Sequence, residues 1–161
     1  MQPHDPDRTV RLSVLDRLLE EETGAGRAGT PWSRSVARLK ASLLRDLEWL
    51  LNTRRAIDLA PEWCPELRRS VFTFGLGDLS SLTAGSEAVR RRLQREVEEA
   101  VTTFEPRLTR VRVTVGDAAD REVRFVVEGV LQMEPEPERV AFDTVLETAS
   151  GTFRVSGGAH A

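Results

Sequence analysis

The sequence predicts a single α+β domain, in which long helices pack on one face of a small, mainly antiparallel sheet near the C-terminus. Apolar residues recur at helical spacing over 33–52 and again over 86–104, which predicts two long amphipathic helices. From Val111 onward the apolar residues alternate with polar ones, as they do in strands. Pro106 separates the two patterns, because proline lacks a backbone N–H and cannot continue a helix. Helices followed by strands are typical of the α+β class.

The first 50 residues are predicted to hold two helices joined by a flexible connector. The polar segment 1–8 contains prolines, so we expect a loose tail. Helical spacing predicts a short helix over 10–19, and the glycines of 23–31 predict a flexible connector. The second helix, 33–52, carries a wide stripe of leucines. We expect Trp49 to lie in the core beside those leucines, since a large aromatic residue in such surroundings is usually buried.

The middle segment, 56–86, is predicted to be irregular because prolines interrupt it. We expect Trp63 and Cys64 to hold this segment against the body of the domain. Within it, the stretch 67–74 fits either a short helix or an extended piece, and the local pattern leaves both open. Ser86 precedes Glu87 and is suited to cap the next long helix.

The C-terminal third is predicted to form the sheet. The predicted strands cover four segments, namely 110–115, 123–131, 140–148 and 152–155. The turn G-D-A-A-D lies between the first two, which should therefore pair as an antiparallel hairpin. The last residues, 156–161, are rich in glycine, and we expect them to be a flexible tail.

Composition limits the classes of function. The 161 residues are 40% apolar and 30% charged, which fits one soluble globular domain over 1–161. A net charge of −3 does not favour a nucleic-acid partner. No apolar run reaches the ~18 residues that a membrane helix needs, and the N-terminus lacks the apolar region of a secretory signal. The lone cysteine, Cys64, suits a reducing compartment, so we expect a cytoplasmic protein.

The sequence lacks the residues that most catalytic and metal sites require. One cysteine and two histidines in the tails cannot build a common zinc site or a nucleophile–histidine pair, so no metal or cofactor is expected. Carboxylate chemistry is the remaining class, with Glu105 as a glycosidase acid and Asp78 or Asp117 as its partner. Arg107 argues against this interpretation, because a nearby guanidinium favours the ionised carboxylate, whereas a general acid must hold its proton.

Glu105 is the most unusual residue of the pattern. It would sit at the C-terminus of a long helix, where the helix dipole disfavours an anion. Arg107 follows two residues later and would lie on the same side of an extended segment, so a bidentate contact can form within the chain or with another chain. A solvated helix end with two exposed charges is the simpler interpretation. Local spacing alone favours it, since exposed ion pairs contribute only ~0–1 kcal/mol.

The stretch F-E-P-R-L at 104–108, followed by V-R-V-T-V, resembles the TssE family of type VI secretion baseplate proteins. That family belongs with the contractile-phage baseplate wedge proteins that were once labelled lysozyme-like. Other stretches agree with it: S-V-L-D-R-L at 13–18, L-L-R-D-L-E-W-L-L-N-T-R at 43–54, and S-V-F with F-G-L-G-D-L-S at 70–80. The resemblance covers about 10–155. Phe74 and Gly77 depart from it, since the family tends to have tyrosine and proline there.

The resemblance implies a structural protein of the baseplate wedge that helps to nucleate the contractile sheath. The implied partners are other wedge proteins and sheath subunits, with no nucleic acid, no membrane insertion, no small-molecule substrate and no enzymatic activity. The older label implies a muramidase as the alternative. Glu105, Pro106 and Arg107 would form the contact site or the local geometry that presents it. We then expect Glu105→Gln and Arg107→Ala to abolish assembly while the melting temperature stays nearly unchanged.

A sheet edge would suit a protein that templates a polymer, because its unpaired N–H and C=O groups accept an incoming strand. The segment 140–146, with Phe142, Thr144 and Leu146, is β-prone, has one charge and contains no proline. The acidic spacer 134–138 before it would discourage indiscriminate pairing. A central strand that is already paired on both sides fits the same residues, and resemblance to a family thought to share strands with its sheath favours the edge. Thr144→Pro would separate the two interpretations.

Overall fold

The computed structural model describes residues 32–57, 60–78, 87–119, 122–133 and 136–160. The predicted tail over 1–8, the predicted helix over 10–19 and the predicted connector over 23–31 lie outside these residues, so the structure does not test them. Ser86, the expected helix cap, also lies outside them.

Two long helices form where the helical spacing predicts them. Helix α1 spans Trp32–Asn52 and helix α2 spans Glu87–Phe104. Each helix buries one stripe, which comprises Leu39, Leu43, Leu47, Leu50 and Leu51 in α1 and Leu93, Val97, Ala100 and Val101 in α2. Pro106 follows just after α2 ends, in agreement with its predicted role as the stop. The N–H of Glu105 still donates to the carbonyl of Val101, at 2.9 Å, which closes the last turn.

Four strands follow: β1 (Leu108–Ala119), β2 (Glu122–Leu131), β3 (Glu138–Glu147) and β4 (Thr152–His160). They form one antiparallel sheet in the order β1-β2-β3-β4, so each strand pairs with its neighbour in sequence. The predicted β1–β2 hairpin is therefore confirmed. The predicted flexible tail is wrong over 156–160, because these residues continue β4 and His160 pairs with Val140. Backbone pairing needs no side chains, so glycines did not prevent it.

Both helices pack on the sheet, with α1 against β4 and α2 against β1. The core between the layers is made of the leucine stripes and the inward-facing residues of the sheet. Three phenylalanines, Phe125, Phe142 and Phe153, are almost fully buried there. The ring centroids of Phe125 and Phe153 lie 6.4 Å apart, within the range of favourable aromatic pairs. The expected α+β architecture is thus the observed one.

Two tryptophans lie on the surface, contrary to prediction. Trp49 is 57% exposed, because the leucines of α1 already fill the inward face and Trp49 projects from the outer one. Arg45 covers part of its ring, with the guanidinium carbon 5.9 Å from the ring centroid. Trp63 is 82% exposed and does not hold the middle segment in place. Backbone hydrogen bonds do so instead, since the N–H groups of Ala56 and Ile57 both donate to the carbonyl of Phe72.

The middle segment contains a short 3-10 helix at Pro65–Arg69, so the helical alternative holds for part of 67–74. None of the residues in this helix is buried.

Strand β3 is central, and the interpretation of its segment 140–146 as a free edge is wrong. It pairs with β2 on one side and with β4 on the other. Phe142, Thr144 and Leu146 point into the core and are at most 4% exposed. The mainly apolar character of this segment, with one charge, reflects its burial in the centre of the sheet rather than an accessible edge. Glu138, from the predicted spacer, opens β3 and pairs with Lys40 of α1 at 2.8 Å.

Candidate protein-interaction site

Glu105 and Arg107 form a bidentate ion pair at the junction between α2 and β1. Glu105 is only 5% exposed, and Arg107 lies two residues on, just before β1 begins. The Nε atom of Arg107 donates to Oε1 of Glu105 at 2.7 Å, and Nη2 donates to Oε2 at 2.5 Å. The backbone N–H of Arg107 also donates to Oε1, at 3.1 Å. Three donors therefore hold a carboxylate at a helix end that would otherwise repel it.

Arg107 also reaches across to helix α1. Its Nη1 atom donates to the hydroxyl of Ser42 at 3.1 Å, and Nη2 donates to Oδ2 of Asp46 at 2.7 Å. The other oxygen of Asp46 accepts hydrogen bonds from the side chain of Arg45 at 2.9 and 3.1 Å. One guanidinium thus joins α1 to the junction of α2 and β1. We call Ser42, Asp46, Glu105 and Arg107 the Arg107 cluster.

The groups around Arg107 keep its guanidinium positively charged. Burial alone would lower the pKa of the Arg107 guanidinium, but the hydrogen bonds and negative charges of Glu105 and Asp46 outweigh it, so the pKa is raised above its ordinary value. A raised pKa means that the stabilisation by a cationic arginine would be lost only at very alkaline pH. The Arg107 side chain therefore stays positively charged over the whole pH range in which proteins function.

The structure decides between the two interpretations of the local sequence. The bidentate contact, which the local spacing allowed but did not favour, forms within the chain. The simpler interpretation, a solvated helix end with two exposed charges, is wrong because Glu105 is buried. Sequence reasoning missed Ser42 and Asp46, which lie 65 and 61 residues away from Arg107. The available signal was a hydroxyl and a carboxylate four residues apart, which places both on one side of α1.

Carboxylate catalysis finds little support in this geometry. Both oxygens of Glu105 accept hydrogen bonds from Arg107, so neither is free to protonate a substrate. Asp78, one proposed partner, is 73% exposed and forms an ion pair with Arg54 at 2.9 Å. The side chain of Asp117, the other proposed partner, lies outside the described part of the structure.

The outer edge of β1 is partly covered by side chains of α2. The N–H of Val113 donates to Oε2 of Glu98 at 2.9 Å, and Nε2 of Gln94 donates to the carbonyl of Val113 at 2.6 Å. The β1–β2 register also shifts twice, between Thr109 and Arg112 and between Val115 and Ala118. Bulges and side-chain covers are both known ways of protecting a sheet edge from pairing with another chain.

The outer edge of β4 is covered at one residue by α1. The side chain of Asn52 accepts a hydrogen bond from the N–H of Phe153 at 2.8 Å and donates to its carbonyl at 2.9 Å. These backbone groups must point away from β3, since they bind a side chain outside the sheet. The β3–β4 register is regular from Phe153 to Gly157, so Val155, two residues on, also directs its backbone groups outward.

Within the described ranges, no group of three His, Cys, Asp or Glu side chains is arranged to hold a metal ion. None of the helices in those ranges has the length and apolar character that a membrane crossing requires.

Comparison with known proteins shows the family to which this chain belongs. Residues 37–136 match the family model described as baseplate wedge protein gp25. The anti-adapter protein IraD of Salmonella arizonae is 31% identical over 132 residues, which are 82% of this chain and 89% of the relative. No solved structure matches at a significant level. The family match spans more than half of the chain and includes the F-E-P-R-L stretch, so the chain belongs to the gp25 baseplate wedge family, which is also the family of the TssE proteins.

Proposed function

We propose that this chain is a structural, non-catalytic protein of a type VI secretion baseplate wedge in the cytoplasm, and that it helps to nucleate the contractile sheath. Its partners would be other wedge proteins and sheath subunits. Membership of the gp25 family supports the baseplate role. The observation that carries the sheath role is the outer edge of β4 beside Val155, which pairs with no further strand of the described residues and to which a partner strand can be added.

The two edges of the sheet differ in what they offer a partner. At β1, two side chains of α2 form hydrogen bonds with the backbone of Val113, and two register shifts interrupt the edge. At β4, the described contacts place the side chain of Asn52 on the backbone of Phe153, and the register stays regular from Phe153 to Gly157. An incoming strand needs consecutive outward N–H and C=O groups in regular register, so β4 is the better template.

Glu105, Pro106 and Arg107 would serve assembly indirectly in this proposal. The Arg107 cluster fixes α1 relative to the sheet, and α1 carries the exposed Trp49 on its outer face, with the half-buried Arg45 beside the Trp49 ring. Exposed tryptophan and arginine residues are frequent anchors of protein interfaces. We therefore propose that the cluster presents this face to a wedge partner, while Phe142, Thr144 and Leu146 support β4 from the core.

Replacing Val155 with proline is expected to abolish sheath formation without unfolding the protein. Proline removes an outward N–H, which the β3–β4 ladder does not use, and edge strands tolerate proline at such positions. Val115→Pro is the matched control, because the regular register from Val113 to Val115 gives Val115 the same outward direction on the opposite edge. Circular dichroism would monitor folding, and a fluorescent sheath subunit would report assembly in cells.

The outcome separates the two edges. Loss of sheaths with Val155→Pro but not with Val115→Pro supports strand addition at β4. Normal sheath formation by a folded Val155→Pro protein would exclude that edge. Thr144→Pro is uninformative about docking, because Thr144 is 1% exposed in a central strand and its replacement should unfold the sheet.

A further inference from the structure

A groove of about 600 Å³ lies between the middle segment and the C-terminal half of α2. One wall carries Arg68 and Arg69, at the end of the 3-10 helix, and the other carries Glu96, Glu99 and Thr103 of α2. The groove thus has a basic wall facing an acidic one. It involves neither the Arg107 cluster nor the edge of β4.

The middle segment also exposes apolar side chains that have no core to enter. Trp63 and Val71 are 82% and 80% exposed, and Phe72 is 53% exposed. The 3-10 helix between them buries none of its residues. Several large apolar residues exposed on one short segment are more than isolated surface residues, and such patches mark interaction sites.

Glu96 gives the groove a hydrogen-bond acceptor that lacks a donor. Its Oε1 atom accepts a hydrogen bond from Nε of Arg92 at 3.0 Å, whereas its Oε2 atom is buried and has no hydrogen-bond partner. A buried carboxylate oxygen without a donor is costly, and an N–H donor with a positive charge would satisfy it best. The described residues supply no such donor, so a second molecule could provide it.

The basic wall of the groove, with Arg68 and Arg69, would attract a negatively charged group of the partner. Arg68 and Arg69 are both exposed, and neither has a hydrogen bond or ion pair with the described residues. A nucleic acid would meet Glu96 and Glu99 in the same groove, which would repel its phosphates. A protein segment can carry both charges and an apolar residue, and therefore complements the walls and the exposed side chains together.

We infer that this groove binds an amphipathic segment of another baseplate wedge protein. The segment would place a lysine or arginine against Oε2 of Glu96 and an acidic residue against Arg68 and Arg69. At the margin of the groove, it would place an apolar residue on Phe72, the residue before the groove-lining Thr73. This inference rests on the proposed function, since it assumes that the chain assembles into a wedge. It adds a second interface, distinct from the strand that would extend β4.

The test measures binding of the purified chain to the other wedge proteins, co-expressed and purified as a complex from the same system. Phe72→Ala and the double variant Arg68→Glu with Arg69→Glu should each weaken binding at least tenfold. Glu96→Gln should weaken it about tenfold, because the amide removes the charge that a partner cation requires. The double variant Arg91→Glu with Arg95→Glu is the control, since it makes the same charge change on α2 outside the groove.

The outcomes distinguish the inference from the proposed function. Unchanged affinity of folded Phe72 and Arg68/Arg69 variants would overturn the groove as an interface, while wild-type binding to the wedge would still support the baseplate role. If the Glu96→Gln variant alone binds like the wild-type protein, the predicted basic residue of the partner is wrong. Absence of binding by the wild-type chain would contradict both. Val155→Pro should bind the wedge normally, because its defect concerns the sheath.

Discussion

Replacing Arg107 with alanine is expected to lower the free energy of unfolding by about 3–5 kcal/mol, the range found when one partner of a buried ion pair is removed. The Arg107 side chain is 13% exposed and bonds to Glu105, Asp46 and Ser42. Its loss would leave two carboxylates close together in a poorly hydrated place, with Arg45 as the remaining cation beside Asp46. The same change would release α1 from the junction of α2 and β1.

Urea unfolding of the isolated protein would measure this effect, with Arg91→Ala as the control. Arg91 forms an ion pair with Glu87, four residues earlier, and both side chains are exposed, so its removal should cost only about 0.3–0.5 kcal/mol. Asp46→Ala combined with Arg107→Ala should cost less than the sum of the single changes, because the two residues interact directly. A nearly unchanged melting temperature for Arg107→Ala would contradict the structural role and favour a direct inter-subunit contact, as the motif alone had implied.

The helices and the first hairpin could be predicted because their signals are local. Leucines at helical spacing define α1, and Pro106 marks the place where period 3.6 gives way to period 2. The Glu105–Arg107 contact was within reach for the same reason, since its partners are two residues apart. The sequence pattern did not predict that this contact is buried, because its burial depends on α1 passing over the junction of α2 and β1.

The position of a strand in the sheet depends on the whole chain. The segment 140–146 has a single charged residue, Asp143, and that is compatible both with an open edge and with a strand in the centre of the sheet. Its placement in the centre follows from β4, whose pairing continues through Gly157 to His160. Glycine-rich sequence suggested a tail there, but the hydrogen bonds of a ladder come from the backbone and do not depend on side chains.

Trp49 shows how a reliable tendency fails at a particular position. Buried tryptophan is common, but the inward face of α1 is already filled by leucines, so Trp49 lies on the outer face beside Arg45. Asp46, three residues earlier, turns towards Arg107, which lies 61 residues away in the sequence. Helical spacing places Ser42 and Asp46 on one side of α1, but it does not indicate which distant residue they bind, so this part of the candidate site could not be predicted.

Gly75 lies at a backbone contact that has no room for a side chain. The loop after Phe74 docks on the end of α1, where the N–H of Leu76 donates to the carbonyl of Thr53 at 2.9 Å and the N–H of Arg55 donates to the carbonyl of Leu76 at 3.0 Å. Leu76 is consequently 2% exposed. Gly75 itself has a φ of +107°, which L-residues with a side chain rarely adopt.

Gly75→Ala is therefore expected to destabilise the protein by roughly 2–6 kcal/mol, from about 1–3 for the unfavourable backbone conformation and about 1–3 for overpacking. An added Cβ would lie 2.2 Å from the carbonyl oxygen of Thr53, and this oxygen accepts the N–H of the buried Leu76, so displacing it would disturb that hydrogen bond. Gly116→Ala is the matched control, since its Cβ would meet nothing closer than 3.6 Å. Urea unfolding of both variants checks the difference, and equal stabilities would mean that the loop does not dock on α1 in solution.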